Sequence, residues 1–360
     1  MKILLCAPWD ETVLGRIASY AYRALGDMGH AVEVFDFRQR KYSRWPLVQP
    51  LKRALRKIWP QVPSPYGVPA IRDAVDRDVN QRLVARCRSF APDLLLVFCG
   101  ENIGVTTLEA AREMGIITAN WFHDSLIYVS RRDLVRDVLP VYDILFLVDD
   151  LDVLKKTGAL FTRARTLPLA CFPEVHRPLA LSDDEKRRWG ADVAFVGTVT
   201  PGRVRILRKL TGFHLGIWGA WSERDPALAA FYRGRNVRGE DAVKIYNASK
   251  VNLDIHVMWG VREEWYNVTP RVFEVPACGG FLLTCAVRQL ETLYTPGEEM
   301  AVVRDADALA GRVRYYLDHE PERIALAQRA LARARREHTY TQRLRILIQA
   351  VEDFRKRGTG

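Results

Sequence analysis

Short apolar runs alternate with helical patterns along most of the chain, and this alternation constrains the fold more than any other feature. Residues 2–7 (KILLCA) are typical of a buried strand, apolar side chains recur at spacings of three and four from Leu14 to Met28, and AVEVFDF follows directly as a second strand. Strand, helix and strand in such close succession predict a βαβ unit with parallel strands and a right-handed crossover. Further apolar runs occupy 93–100, 116–122, 143–150 and 166–171. Because these runs are continuous rather than alternating, we expect strands that helices cover on both faces.

The alternation stops once and then begins again. The stretch 173–190 is polar and interrupted by prolines, which is typical of a linker. Apolar runs return at DVAFVG, VNLDIHV and FLLT, with helical segments between them. A chain of 360 residues also exceeds the length of one ordinary core. We therefore predict an α/β protein with two Rossmann-like, doubly wound parallel-sheet domains that face each other across a cleft. They comprise residues 1–172 and 191–340, and the helix over 341–357 must pack its apolar face against one of them.

Composition excludes several classes of protein. Hydrophobic residues make up 48% of the chain and charged residues 27%, which argues against a disordered or coiled-coil protein. The N-terminus lacks the features of a secretory signal, and no apolar stretch is long enough to cross a bilayer, so we expect a cytoplasmic location. The six cysteines are scattered without paired spacing, which argues against a disulfide framework or a zinc site. We interpret Asp150 and Asp152 as helix-capping residues, and we expect no metal.

The net charge of +11 favours anionic partners, and one segment concentrates positive charge. Between residues 38 and 59 there are eight lysines and arginines and no acidic residue; a helix over Leu47–Trp59 would place apolar side chains on one face and basic ones on the other. Such a helix suits a membrane surface, or it could follow the phosphates of a nucleic acid or another polyanion. A solvated basic face on an ordinary insertion is the third interpretation. Peripheral membrane association therefore stays open, and nucleic acid is not favoured.

Candidate functional residues follow the predicted strands, because doubly wound sheets bind ligands beyond the carboxyl ends of their strands. In the first half, Gly15 and Glu101 are candidates for the acceptor side, and His123 with Asp124 follows the strand at 116–122. The second half contributes a larger group that would suit a phosphate-containing ligand. Its members are Gly197, Arg203, Asn267, Arg271, Glu274, Gly279 and Gly280. The glycine spacing G-x-G-x-x-G is missing after the first strand, which argues against a dinucleotide.

These residue types fit the transfer of a sugar from a nucleotide. A departing diphosphate gains negative charge, and Arg203 and Arg271 would stabilise it. Glu274 would accept hydrogen bonds from the ribose hydroxyls, while the glycine pair would allow the backbone to approach the ligand closely. His123 and Asp124 would orient an acceptor hydroxyl. Taken singly, each residue has an ordinary structural explanation as well, namely a surface arginine, a tight turn or a hydrogen-bonding histidine.

Several segments resemble a known family over nearly the whole chain. Gly29–Val34 (GHAVEV), Trp121–Asp124 (WFHD) and Asp192–Gly197 (DVAFVG) resemble segments of the retaining group-1 glycosyltransferases of the GT-B fold. The most specific signatures are Ile245–Leu253 (IYNASKVNL) and Arg271–Thr284 (RVFEVPACGGFLLT), and His338–Tyr340 with Arg343 is similar to the closing motif. Within that group the sequence is most similar to the spore-maturation (CgeB-type) family.

The resemblance implies a metal-independent, retaining transferase that uses a nucleotide-diphosphate sugar as co-substrate, with an unidentified acceptor. It places Glu274 on the donor ribose, Arg203 at the diphosphate and His123 near the transferred sugar, and it returns the terminal helix to the N-terminal domain. One position departs from the broader group, where a second glutamate stands eight residues before the ribose glutamate; here Tyr266 occupies that position.

Two alternatives to an active transferase stay open at this point. The tyrosine at position 266 is compatible with a GT-B module that binds a nucleotide without turnover. The basic stretch of residues 38–59 is compatible with a transferase that modifies nucleic acid.

Overall fold

The computed structural model describes residues 1–38, 69–126, 134–150, 164–221, 225–234, 237, 239–256, 259 and 267–358. Most of the predicted basic segment lies outside these residues, and so do Asp152 and Tyr266. Among the described helices, none combines the length and the apolar character needed to span a bilayer.

The chain divides into two compact units. Unit 1 consists of Met1–Leu167 together with Leu344–Gly360, and unit 2 consists of Pro168–Arg343. The sequence-based boundaries differ from this division in two places. The stretch 168–172 belongs to unit 2 rather than to the N-terminal part, and the terminal segment joins unit 1 from Leu344 rather than from residue 341.

Unit 1 is built on a six-stranded parallel sheet with the order β2-β1-β3-β4-β5-β6. The strands are β1 (Lys2–Cys6), β2 (Ala31–Phe35), β3 (Leu94–Phe98), β4 (Ile117–Phe122), β5 (Ile144–Leu147) and β6 (Ala164–Thr166). The helices are α1 (Val13–Asp27), α2 (Pro69–Phe90) and α3 (Val105–Glu113), with a π-helical turn at Leu134–Val138 and a 3-10 turn at Leu139–Val141. Every residue of β3 and β4 is buried, as the continuous apolar runs predicted.

Unit 2 repeats the architecture with the order β12-β11-β10-β7-β8-β9, again all parallel. Its strands are β7 (Val193–Val196), β8 (Leu215–Trp218), β9 (Tyr232–Gly234), β10 (Val251–Asp254), β11 (Leu282–Cys285) and β12 (Ala301–Val303). Its helices are α4 (Asp183–Trp189), α5 (Pro201–Arg208), α6 (Glu240–Ala248), α7 (Arg271–Ala277), α8 (Leu309–Asp318) and α9 (Glu320–Glu337), with 3-10 turns at Pro226–Phe231 and Arg288–Thr292.

Three local predictions differ from the structure. The strand expected over 166–171 ends at Thr166, because Pro168 has no N–H to donate to a sheet. The short strand β9 was not predicted. The segment expected to be a linker, 173–190, lies wholly within unit 2 and contains α4, whose N-terminus is stabilised by a capping box between Ser182 and Glu185.

The segment before the last helix is held firmly inside unit 2. Thr339 pairs with Cys171 in an isolated β-bridge, and the Nε of the buried Arg343 donates to the Pro168 carbonyl at 3.0 Å. Arg343 also donates from Nη2 to Nδ1 of the buried His338 at 3.1 Å. The similarity of His338–Arg343 to a closing motif therefore coincides with a buried polar network.

The last helix, α10 (Tyr340–Gly358), belongs to unit 1 from Leu344 onward. The apolar face predicted from the sequence is buried at Leu344, Leu347, Ile348 and Val351. Near its end, Arg355 forms an ion pair with Asp93 at 3.1 Å.

Neighbouring positions on α10 provide a matched test of this packing. Leu347 is fully buried and Ile346 is 48% exposed. We expect Leu347→Ala to lower the free energy of unfolding by about 2–5 kcal/mol, because it removes buried methyl groups and leaves a cavity. Ile346→Ala should change it by less than about 0.5 kcal/mol. Urea unfolding followed by fluorescence measures both, and equal losses in the two variants would contradict the burial pattern.

Candidate functional site

The polar centre of unit 2 lies where its strand order reverses. The chain leaves β7 toward β8 and β9 on one side and returns to β10, β11 and β12 on the other. Ligands of doubly wound sheets bind at the carboxyl ends of the strands beside such a switch point. The ends of β7 and β10 are therefore the expected position for a ligand in this unit.

Arg271 joins these two strand ends. Its Nε donates to Oδ1 of Asp254 at 3.0 Å, its Nη2 lies 2.9 Å from the same oxygen, and its Nη1 donates to the Val196 carbonyl at 2.9 Å. Asp254 is buried and also accepts hydrogen bonds from Thr269 and Thr284. Burial acts against both charges, but the pair outweighs it, so the pKa of Arg271 is raised and that of Asp254 is lowered. Both groups are therefore ionised.

Arg203 lies beside this pair and is hydrogen-bonded to backbone carbonyls. Its Nε donates to the Ile255 carbonyl and its Nη1 to the Thr198 carbonyl, each at 2.8 Å. Within the described residues no carboxylate lies at ion-pair distance from it, and its Nη2 makes no hydrogen bond there. Burial lowers the pKa of Arg203 to about 10, which leaves the group charged at neutral pH. A buried guanidinium without an ion-pair partner attracts an anion.

His256 adds no charge to this centre. It is buried, and burial lowers its pKa to about 4. The group formed by Arg203, Arg271, Asp254 and His256, here called the arginine centre, thus has two positive charges and one negative charge near neutral pH. Its excess positive charge suits a phosphate.

Glu274 lies on α7, one turn beyond Arg271, and its side chain is 22% exposed. Its Oε1 lies 3.8 Å from Nε2 of His176, a buried histidine from the segment after Cys171. Asn267 is partly buried in the segment that precedes α7. The structure therefore brings Arg203, Arg271 and Glu274 to neighbouring elements of unit 2.

The glycines after α7 have a packing role. Gly279 has a φ of +75° and its N–H donates to the Pro276 carbonyl, while the N–H of Gly280 donates to the Val275 carbonyl, which together make a Schellman motif. A Cβ at Gly280 would lie 2.7 Å from the Tyr246 carbonyl oxygen. These contacts explain both glycines through the end of the helix.

Gly197 leaves room for the arginine centre. A Cβ at this position would lie 3.1 Å from Nη1 of Arg271 and 3.2 Å from the Phe195 ring. The same ring lies 5.4 Å from the guanidinium carbon of Arg203 and 5.9 Å from that of Arg271. A larger residue at 197 would therefore displace Arg271.

A separate cavity of about 270 Å³ opens at the carboxyl ends of β11 and β12. None of the predicted donor-binding residues lines it. Its lining consists of Ala286, Val287, Arg288, Leu290, Glu291, Pro296, Val302 and Arg304.

In unit 1, His123 stands at the end of β4 and is almost fully buried. Its ring packs edge-on against Phe98 and Trp121, with centroid distances of 4.5 and 4.7 Å. Neither ring nitrogen has a hydrogen-bond partner in the described part of the chain, and burial lowers the pKa to about 3. The imidazole is therefore neutral, and its two polar atoms have a capacity for hydrogen bonding that the described residues leave unused.

The other candidate residues of unit 1 are Asp124, Glu101 and Gly15. Asp124 and Glu101 are exposed in the turns that follow β4 and β3. Gly15 lies in the first turn of α1, where a Cβ would collide with the backbone of Asp10. The glycine is therefore explained by the close approach of the preceding loop to the helix.

Asp254 and His256 of the arginine centre, and His176 beside Glu274, were not predicted as site residues. Asp254 lies between Leu253 and Ile255 in a predicted strand, and a carboxylate in a buried strand needs a partner, which was a usable signal. His176 had no comparable signal, because it lies in the stretch interpreted as a linker.

A family of known proteins matches the part of the chain that contains Arg203, Arg271 and Glu274. Residues 203–349 match the family model described as Glycosyl transferase-like. The matched residues include most of unit 2. No curated protein matches the chain in sequence.

Solved structures resemble the chain over nearly its full length. Sucrose-phosphate synthase from Thermosynechococcus elongatus has a TM-score of 0.67 at 13% identity and covers 99% of this chain and 100% of its own. A glycosyltransferase from Rickettsia africae has a TM-score of 0.66 at 12% identity, with 99% and 98% covered. HepE from Anabaena, solved with UDP-glucose, has a TM-score of 0.63 at 11% identity, with 98% and 100% covered. These similarities show that the chain has the GT-B fold.

Metal ligands are not grouped in the described residues, where no set of three or more His, Cys, Asp or Glu side chains could hold an ion. All six cysteines are buried and free.

The buried histidines generate a prediction on pH dependence. Burial lowers the pKa of His256 and His338 to about 4 and of His123 to about 3, whereas an unfolded histidine titrates near about 6.5. As the pH falls below that value, the unfolded chain binds protons that the folded chain excludes. The free energy of unfolding should therefore fall by about 1.4 kcal/mol per pH unit for each histidine.

NMR titration of the imidazole resonances measures this directly, with the same protein in urea as the control. The three buried rings should stay neutral down to pH values near their lowered pKa. Midpoints close to the urea value would contradict their burial.

Proposed function

We propose that the chain transfers a sugar from a nucleotide-diphosphate sugar to an acceptor hydroxyl, without a metal ion and with retention of the anomeric configuration. The observation that carries the proposal is the excess positive charge of the arginine centre at the switch point of unit 2. The glycosyltransferase-like match covers this same region, and HepE, which has the same fold, was solved with UDP-glucose.

The diphosphate would bind at the arginine centre. The Nη2 of Arg203, which makes no hydrogen bond to the residues that the structure describes, would donate to a phosphate oxygen, and the phosphate would compensate the guanidinium charge. Arg271 is already oriented by Asp254 and Val196, so it would act without reorganisation. Fixed positive charge of this kind stabilises the negative charge that develops on the departing diphosphate.

The nucleoside would be held by Glu274. The side chain is partly exposed, one helical turn from Arg271, which is a suitable distance between a ribose and its diphosphate. A carboxylate accepts hydrogen bonds from two vicinal hydroxyls, as in dinucleotide sites. In the group-1 glycosyltransferases a second glutamate stands at the position of Tyr266. In this proposal Arg271 would provide part of the binding surface that this glutamate provides in those enzymes.

His123 would act on the side of the transferred sugar. Its neutral ring can both donate and accept a hydrogen bond, and burial excludes water from it. The oxygen atoms of a sugar would satisfy the two ring nitrogens that the described residues leave unpaired. Asp124, which follows it, would meet the acceptor hydroxyl.

Arg203 allows a direct test of the diphosphate site. Among the uridine, guanosine, adenosine, cytidine and thymidine diphosphates, at least one should raise the free energy of unfolding by about 2–3 kcal/mol at a hundred times its Kd. Arg203→Gln should weaken this nucleotide by about 10- to 100-fold, the loss expected for a hydrogen bond to a charged group. Thermal shift and calorimetry measure both effects.

Arg205→Gln is the matched control, since Arg205 lies on the same helix with its side chain exposed, and it should leave the Kd unchanged. If no nucleoside diphosphate binds, the proposal is wrong. If the two variants bind alike, the diphosphate lies elsewhere.

Activity provides a second test. Because guanidinium groups would neutralise the diphosphate, hydrolysis or transfer from the donor sugar should continue at an unchanged rate in excess chelator. The sugar released at early times should keep the anomeric configuration of the donor, as NMR would show. Loss of activity in chelator would refute metal independence, and an inverted sugar would refute retention.

A further inference from the structure

His176 is a buried histidine that the proposed mechanism does not use. It stands in a tight turn, in which its N–H donates to the Phe172 carbonyl at 2.7 Å. Its ring is tied to the same residue, because the Phe172 N–H donates to Nδ1 at 3.0 Å. The side chain is only 6% exposed. Position and orientation of the imidazole are therefore fixed by the backbone next to it.

The Phe172 contact also fixes the tautomer. A backbone N–H can donate only to a ring nitrogen that lacks a proton, so Nδ1 is the acceptor and the neutral ring has its proton on Nε2. This is the atom that faces Glu274, with Nε2 and Oε1 separated by 3.8 Å. The N–H of the imidazole is thus presented to one oxygen of the glutamate from the buried side.

The separation of 3.8 Å is longer than a hydrogen bond, and polar contacts of a binding site are commonly long before the ligand arrives. Glu274 is 22% exposed and has several rotamers to choose from. A donor fixed behind the carboxylate favours the rotamer that keeps one oxygen near His176 and turns the other toward solvent.

We infer that His176 is a positioning residue, whose Nε2–H orients the Glu274 carboxylate for the two hydroxyls of a nucleotide ribose. The inference rests on the proposed function, because it assumes that Glu274 binds the ribose. A carboxylate held in one orientation loses less conformational freedom on binding, which favours the ligand that uses it. The effect should therefore concern only the part of the affinity that depends on the ribose hydroxyls.

The simpler explanation is that His176 only completes its own turn by accepting from Phe172. Two substitutions separate these roles. In His176→Asn the side-chain oxygen can replace Nδ1 as the acceptor for Phe172, but nothing donates to Glu274. In His176→Gln the side-chain amide reaches the place of Nε2 and can donate to Glu274, but the Phe172 N–H loses its acceptor.

The experiment compares the Kd of the uridine, guanosine, adenosine and cytidine diphosphates, which have both ribose hydroxyls, with that of their 2′,3′-dideoxy counterparts, in the full chain. For the nucleotide that binds, the wild-type protein should prefer the ribose form by about tenfold or more, the size expected for hydrogen bonds to a charged group. Glu274→Gln should reduce this preference. His176→Asn should reduce it equally and leave the Kd of the dideoxy form unchanged, whereas His176→Gln should keep most of the preference.

The controls separate failure of the inference from failure of the proposed function. His214→Gln, at an exposed histidine of the same unit, should behave as the wild type. A preference that survives in His176→Asn but disappears in Glu274→Gln would overturn the positioning role alone. A wild-type protein that binds both forms equally, or a preference that Glu274→Gln leaves intact, would overturn the assignment of Glu274 to the ribose. Absence of any nucleotide binding would overturn the proposed function.

Discussion

The ion pair between Arg271 and Asp254 is the interaction on which the rest of unit 2 depends. It joins the end of β10 to the start of α7, and through the Val196 carbonyl it also reaches the end of β7. Removing one partner of a buried pair leaves an unpaired charge, which costs about 3–5 kcal/mol. Because α7 begins at Arg271, the same contacts attach the start of this helix to the ends of two neighbouring strands.

The two arginines of the arginine centre differ in their ion-pair partners among the described residues. Arg271 has Asp254 as a partner, and this pair would be complete without any ligand. Among the described residues Arg203 contacts carbonyl oxygens and no carboxylate at ion-pair distance, and burial disfavours its charge. A buried charge of this kind is weak evidence for a stabilising role and stronger evidence for a role in binding an anion.

The buried polar groups of the two units differ in their charge. In unit 2, Arg271 and Asp254 at the strand ends are ionised and hydrogen-bonded to each other. In unit 1, His123 is neutral and packs between aromatic rings, with unused hydrogen-bonding capacity. Charged groups suit a diphosphate, whereas a neutral ring among aromatics suits the uncharged hydroxyls of a sugar.

The sequence by itself determined the two sheets and most of their elements. Continuous apolar runs located β3 and β4, because the apolar side chains of a buried parallel strand follow one another in the sequence. The predicted donor residues Arg203, Arg271 and Glu274 also follow strands that meet at the switch point. Only the tertiary structure showed that Asp254 pairs with Arg271, that Gly280 packs against the Tyr246 carbonyl and that His176 faces Glu274. These contacts join residues far apart in the chain, and no local pattern encodes a partner that the fold alone brings near.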